Sequence, residues 1–266
     1  MTLFRRHFPG DRRRPALALH CMMGSGAGWG PIAEGLGGRV DLHALDLPGH
    51  GRSPRLAAIA PGEIMATTLT AARAEAERLA AGSADHRVDL LGHSFGAVAA
   101  LALAVEDPAR VRSLTLIEPV MFAALPASAR DPDGQLAALE GFEAAGDRAG
   151  ATAAFLRYWD GPDLDAVPPL TRDQLTAQMA AVRDTMPDIY QDRTGILAPG
   201  GLERLAAAVM FITGASSPPV IAEIAAALAA RLPDVGRATV PGAGHMSPLT
   251  RPAAVAELIA VNLDRA

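Results

Sequence analysis

The chain contains no lysine: all 24 basic residues among its 266 positions are arginines. That absence excludes catalysis through a lysine Schiff base, a pyridoxal phosphate lysine or a P-loop lysine. A single cysteine, Cys21, rules out an internal disulfide and a Cys-x-x-Cys motif, and it fits a reducing compartment. The seven histidines show no His-x-x-x-His spacing, so neither a zinc site nor any other metal or cofactor is expected. No apolar run reaches the roughly 20 residues that a bilayer span needs. The arginine-rich start, 1–15, has no apolar stretch behind it that would read as a secretory leader. Cytoplasm is the expected location, with no membrane partner. The net charge is −5 without a basic stripe, which argues against a nucleic-acid partner. Arg5, Arg6 and Arg12 to Arg14 read as a solvated terminal arm.

Half of the chain is apolar and a fifth is charged, the profile of one large domain with a substantial core. Short apolar runs alternate with alanine-rich helical stretches, as in a parallel sheet flanked by helices. Strands are predicted over 16–20, 41–47, 87–91, 112–117, 208–213 and 237–240, apolar on both faces as buried parallel strands are. Helices are predicted over 28–36, 62–81, 95–104, 219–230 and 253–263. Between 119 and 205 the alternation stops. Seven prolines, from Pro126 to Pro199 and including Pro187, divide that segment into helical pieces, an insertion rising from the carboxyl edge of the sheet.

The central chemical signal is Gly92-His93-Ser94-Phe95-Gly96, with Val88-Asp89-Leu90-Leu91 before it and a strong helix former after it. Strand, sharp turn and helix make a nucleophile elbow, in which glycines two residues either side keep the backbone clear of the serine. The second signal is Gly244-His245-Met246 on a glycine-rich loop after the last strand. A histidine there is largely unprotonated at neutral pH and can take the hydroxyl proton of Ser94. His93 is expected to serve the shape of the elbow, and His7, His43 and His86 to lie on the surface. The third signal is His20-Cys21-Met22-Met23-Gly24-Ser25-Gly26 after the first strong strand. The backbone N–H groups of Met22 and of Phe95 are the expected oxyanion donors. A dinucleotide site on the same loop fails on register, because Trp29 stands where its third glycine would be.

In these motifs, together with Asp46-Leu47-Pro48-Gly49-His50-Gly51-Arg52-Ser53, the chain resembles the α/β-hydrolase family in its cap-bearing, cofactor-free branch. The likeness covers nearly the whole chain. It implies a doubly wound, mostly parallel sheet in a core of 1–118 and 206–266, a helical cap over 119–205, and Ser–acid–His catalysis. Two departures stand out. Where relatives carry His-Gly, this chain has His20-Cys21, a side chain that could narrow the pocket and a thiol open to modification. Where most relatives carry an aspartate, it has Ser216 and Ser217. Some members place the acid one strand earlier, and here that position is Glu118. The alternative makes Glu118 a pocket-edge or cap-anchoring residue, with the acid supplied by the cap or absent.

The expected activity is hydrolysis of a small-molecule substrate, a largely apolar carboxylic ester, through an acyl-enzyme on Ser94. Trp29, Met121, Phe122, Phe155, Tyr158, Trp159, Tyr190 and Met246 are the candidate pocket residues, alternatively cap core. A carbon–carbon bond hydrolase of diketones or an acyltransferase would use the same triad. A ligand-binding protein on the same fold is the reading of another class.

Overall fold

The protein is described by a computed structural model covering residues 2–266. Its elements run β1 (Arg5–Phe8), β2 (Pro15–Leu19), α1 (Gly30–Gly35), β3 (Asp41–Leu45), α2 (Ile64–Ala81), β4 (Val88–His93), α3 (Phe95–Glu106) and β5 (Val111–Ile117). Then come α4 (Gln135–Ala144), α5 (Arg148–Tyr158), α6 (Pro169–Gln191), β6 (Ala208–Gly214), α7 (Pro219–Ala229), β7 (Val235–Val240), α8 (Ser247–Thr250) and α9 (Pro252–Leu263). The seven strands form one sheet in the order β1-β3-β2-β4-β5-β6-β7. Only β1 is antiparallel to its neighbour. The chain winds outward from β2 to one edge and then from β4 to the other. The crevice between the carboxyl ends of β2 and β4 is therefore the switch point, where ligands bind in sheets of this kind.

Strand alternation divides the core into two layers. Leu17 and Leu19 of β2 enter the layer that contains α2, α3 and α7, while Ala16 and Ala18 face the layer of α1 and α9. Both faces of β2 to β6 are covered, which is why these strands read as continuous apolar runs. No helix among the described residues is long and apolar enough to cross a membrane.

Four expectations need correction. The amino-terminal arm is not wholly solvated: Arg5–Phe8 pairs with β3, His7 standing opposite His43. Under this strand His43 is buried, contrary to its surface assignment. Pro187 does not end a helix. It lies inside α6, which gives up one backbone hydrogen bond near its end and keeps its line because Met186, Ile189 and Tyr190 pack on the core. The strands are also not wholly apolar, since Asp89, the second residue of β4, is fully buried.

Asp89 is a tie between elements. Its carboxylate accepts from Arg14 Nε at 3.0 Å, Arg112 Nη1 at 2.8 Å and Ser113 Oγ at 2.6 Å. Arg14 also donates to the carbonyl of Leu263 at the end of α9. Removing one partner of a buried ion pair leaves the other charge uncompensated, at about 3–5 kcal/mol. Asp89→Ala is expected to lower unfolding stability by that amount, read from urea titration, and a loss within experimental error of zero would contradict the tie.

Candidate active site

Ser94 follows β4 with φ 57° and ψ −118°, a conformation that L-residues rarely adopt. The flanking glycines explain how it is held. A Cβ at Gly92 would stand 2.7 Å from the nitrogen of Ala97. One at Gly96 would overlap the Leu19 carbonyl and lie 2.6 Å from that of His20. Only glycine lets α3 start this close to β2. The Ser94 N–H donates to Ile117 O at 2.9 Å, and its carbonyl accepts from Ala97 and Val98. The turn therefore has partners on both sides of its strained residue.

His245 reaches across from the loop after β7. The Ser94 hydroxyl donates to His245 Nε2 at 3.0 Å, and His245 Nδ1–H donates to Glu118 Oε2 at 3.1 Å. A carboxylate only accepts, so Glu118 fixes the tautomer that leaves Nε2 free to accept. All three side chains are buried, Glu118 completely and His245 with 2% exposed. The second oxygen of Glu118 accepts from the Gly214 N–H. Ser217, on the loop after β6, has a buried hydroxyl without a hydrogen-bond partner, and it makes no hydrogen bond to His245.

The His245 backbone is held as well. Its carbonyl accepts from His93 Nε2–H at 2.9 Å, and its N–H donates to Asp160 Oδ2 at 3.1 Å. Trp159 packs on the imidazole, with ring centroids 4.3 Å apart. Asp160 and the tilted Trp159 are site neighbours from the helical segment, and the contact through Asp160 had no signal in the sequence.

Two further histidines clamp the loop after β2. Leu47 N–H donates to His20 Nε2 at 2.9 Å and His20 Nδ1–H donates to Cys21 O at 2.7 Å. Met23 N–H donates to His50 Nε2 at 2.9 Å, while His50 Nδ1–H donates to Pro48 O at 2.8 Å. Asp46 adds acceptors for Gly26 N–H and Arg52 N–H. The clamp holds Met23 at φ 61° and so sets the direction of the preceding Met22 peptide. Burial lowers the pKa of all three site histidines besides His245. His20 lies well below its usual value, His50 is lowered, and His93 is pushed down to about 3 with help from neighbouring His245.

Met22, Ser94 and Phe95 line one cavity with Val120, Phe122, Gln135, Leu139, Phe155, Trp159, Val182, Thr185, Met186, Ile189 and Tyr190. The cavity is narrow and opens to solvent at its mouth. Phe122 and Tyr190 stack face to face, with centroids 4.3 Å apart. Neither the Met22 nor the Phe95 N–H is taken up by a backbone hydrogen bond among the described turns and loops. Of the other expected pocket residues, Met121 lies wholly in the core and Tyr158 donates to Asp133. Trp29 lines a neighbouring cavity, and Met246 lines neither. The stripe Val182, Thr185, Met186, Ile189 and Tyr190 on α6 was missed, although its helical spacing is present in the sequence.

Cys21 opens toward the Trp29 cavity rather than the Ser94 cavity, and burial pushes its thiol up to about 12. That keeps it protonated and unreactive, which corrects its reading as a modification site. Among the described residues, metal-ligating groups gather at His7, Asp41 and His43, at the outer strand pair. His7 Nε2 and His43 Nε2 each meet a different oxygen of Asp41, at 2.8 and 3.0 Å. Their rings are stacked 10° from parallel, so their lone pairs run side by side rather than toward one point. The cluster is a carboxylate clasp that joins β1 to β3.

Comparison with known proteins places this geometry among relatives. Residues 16–258 match the model of the Alpha/beta hydrolase family. The chain is 34% identical over 114 residues to the dihydrolipoyllysine-residue acetyltransferase component of the acetoin cleaving system of Cupriavidus necator, over 42% of this chain and 28% of that protein. It spans about a quarter of the length of the curated relatives that it matches. Among solved structures, the 2-hydroxy-6-oxo-6-phenylhexa-2,4-dienoate hydrolase of Rhodococcus sp. strain RHA1 is similar with a TM-score of 0.70 at 20% identity, over 99% of each chain. A carboxylesterase of Bacillus subtilis is similar with a TM-score of 0.64 at 19% identity, over 98% of this chain and 87% of that one. At these identities the likeness to solved structures concerns the fold.

The lowered histidines make stability depend on pH. Below about 6.5 an unfolded histidine takes up a proton that the folded one refuses, so stability falls as pH falls. For His93, pushed down to about 3, the loss reaches about 2–3 kcal/mol by pH 4.5. Urea midpoints measured from pH 7.5 to 4.5 are expected to drop. His93→Gln, which keeps a donor for the His245 carbonyl, is expected to flatten the slope. An unchanged slope in that variant would remove His93 from this account.

Proposed function

The chain belongs to the alpha/beta hydrolase family, and from that premise we propose that it is a serine hydrolase cleaving a small, largely apolar carboxylic ester through an acyl-enzyme on Ser94. The observation that carries the proposal is the buried hydrogen-bonded line from the Ser94 hydroxyl through His245 to Glu118, at 3.0 and 3.1 Å. Three other features support it: the glycine-flanked elbow, two backbone N–H groups at one end of the cavity, and apolar walls.

In the proposed reaction His245 Nε2 takes the Ser94 proton as Oγ bonds the ester carbon. The former carbonyl oxygen becomes an oxyanion between the N–H groups of Met22 and Phe95. Such donors act on charge that appears only in the transition state, and one is worth about 10²–10³ in turnover. Collapse breaks the ester C–O bond, and the leaving alkoxide receives the proton from His245. Water then repeats the sequence on the acyl-enzyme and releases the acid. Glu118 orients the imidazole and stabilises its cationic form. Residues 119–205 are the proposed cap, closing the cavity over a core of 1–118 and 206–266, in a cytoplasmic enzyme.

Hydrolysis of p-nitrophenyl acetate and butyrate tests the assignment. Ser94→Ala is expected to abolish turnover and labelling by a fluorophosphonate probe. Glu118→Gln keeps the shape but loses the charge, and kcat is expected to fall by about 10²–10⁴-fold. Ser217→Ala is expected to stay near wild type. Near-full activity in Glu118→Gln would overturn the acid assignment. Absence of Ser94-dependent labelling in the wild type would overturn the serine mechanism.

A further inference from the structure

The cavity at Ser94 is apolar on nearly every side, and its wall holds one buried side-chain nitrogen without a partner. Gln135 is the first residue of α4 and lines the cavity. Its Nε2 is buried and makes no hydrogen bond within the described residues. Thr185, another polar side chain of the helical segment, is committed: its Oγ1 donates to the carbonyls of Ala181 and Val182 on its own helix. Tyr190 contributes its ring, stacked on Phe122.

The position of Gln135 is not explained by the helix that it begins. Asp131 already caps α4, its carboxylate accepting from the N–H groups of Leu136 and Ala137 at 2.8 and 3.2 Å. No buried acceptor is supplied to the carboxamide by the fold. Buried amide donors are nearly always paired in folded proteins, and a side chain in the wall of a cavity can turn its carboxamide to what enters it. The same cavity is walled by Leu139, Phe155, Val182 and Ile189, none of which offers a side-chain hydrogen bond.

We propose that Gln135 is a specificity-determining residue, and that the preferred substrate carries a carbonyl oxygen on its acyl chain, beyond an apolar spacer, which accepts from Gln135 Nε2–H. The inference rests on the serine hydrolase reading and narrows it from plain apolar esters to oxo-acyl esters. The spacer lies along the aromatic and aliphatic walls, and the scissile carbonyl sits at Ser94. A site built around such a donor discriminates strongly against an analogue that lacks the acceptor, because the donor is then left buried and unpaired.

The test compares p-nitrophenyl 4-oxopentanoate, 5-oxohexanoate and 6-oxoheptanoate with the unsubstituted ester of the same chain length. The ratio of kcat/KM within each pair is measured for the wild type, Gln135→Leu and Gln135→Glu. The wild type is expected to prefer one oxo ester by at least about tenfold, and both variants to bring that ratio close to unity. The ratio cancels any loss of folded protein shared by both substrates. A wild-type ratio near unity at every length overturns the proposal, as does a preference that survives in Gln135→Leu. The same acids, titrated by calorimetry into Ser94→Ala and into Ser94→Ala/Gln135→Leu, separate the two readings. Preferential binding of the oxo acid that depends on Gln135, without any Ser94-dependent turnover, would sustain the binding assignment and overturn only the hydrolase reading. Equal binding of oxo and plain acids alongside normal turnover would overturn only the Gln135 proposal.

Discussion

The close passage of the elbow backbone past the end of β2 is the constraint on which the site is built. Without a side chain, Gly96 lets α3 begin against the carbonyls of Leu19 and His20. This contact puts the N–H of Phe95 and the loop bearing Met22 around one cavity. The same turn ties Ser94 to β5 through its N–H bond to Ile117 O, and the next residue of that strand is Glu118. Ser94 and Glu118 thus stand at the ends of neighbouring strands, about 5 Å apart across the ladder, and one imidazole spans from serine to carboxylate. The loop that brings the imidazole is itself packed closely: a Cβ at Gly214 would lie 2.7 Å from the Gly244 carbonyl. Close backbone contacts, rather than long side chains, set the distances of the site.

Four of the seven histidines meet at this edge, and they are put to two uses. His20 and His50 each donate from Nδ1 to a carbonyl and accept a backbone N–H at Nε2. With both nitrogens engaged, these rings have no lone pair left for a substrate. An imidazole suits the task because it is rigid and carries a donor and an acceptor on opposite sides, which allows two loops to be joined through a buried space. Burial keeps the rings neutral, and neutrality preserves the acceptor. His245 differs in its neighbours. A carboxylate faces one nitrogen and a hydroxyl the other, so a proton can arrive and find compensation.

The elbow, the His245 loop and the parallel strands were legible in the sequence because each is signalled locally, by glycines at a strand end or by unbroken apolar runs. Other features depend on contacts between distant segments. The strand Arg5–Phe8 has alternating burial on an outer edge, and its three polar residues gave no apolar pattern to read. Asp89 looks like an interruption of β4 until Arg14, Arg112 and Ser113 converge on it. In the helical segment the prolines suggested breaks, and this obscured the regular spacing of Val182, Thr185, Met186, Ile189 and Tyr190. Met121 and Phe122 are adjacent and equally apolar, and a single helical turn decides that only Phe122 reaches the cavity.

The position of the acid follows from the same sheet geometry. β5 and β6 are hydrogen-bonded neighbours, in register from Ser113 with Ala208 to Ile117 with Ile212. A residue at the carboxyl end of either strand can therefore approach an imidazole suspended above them. On β6 the loop offers Ser217, which is neutral. On β5 the chain turns at Glu118 with φ 51°, a conformation that needs support from its surroundings. The Glu118 N–H donates to Ile212 O at 2.9 Å, and its side chain accepts from Gly214, so both ends of the residue are fastened to the strand that lacks an acid. Moving the carboxylate one strand inward exchanges a loop position for a fully buried one. It also brings the charge to His245 without disturbing the Ser94 turn, because the Ile117 carbonyl that holds Ser94 immediately precedes it.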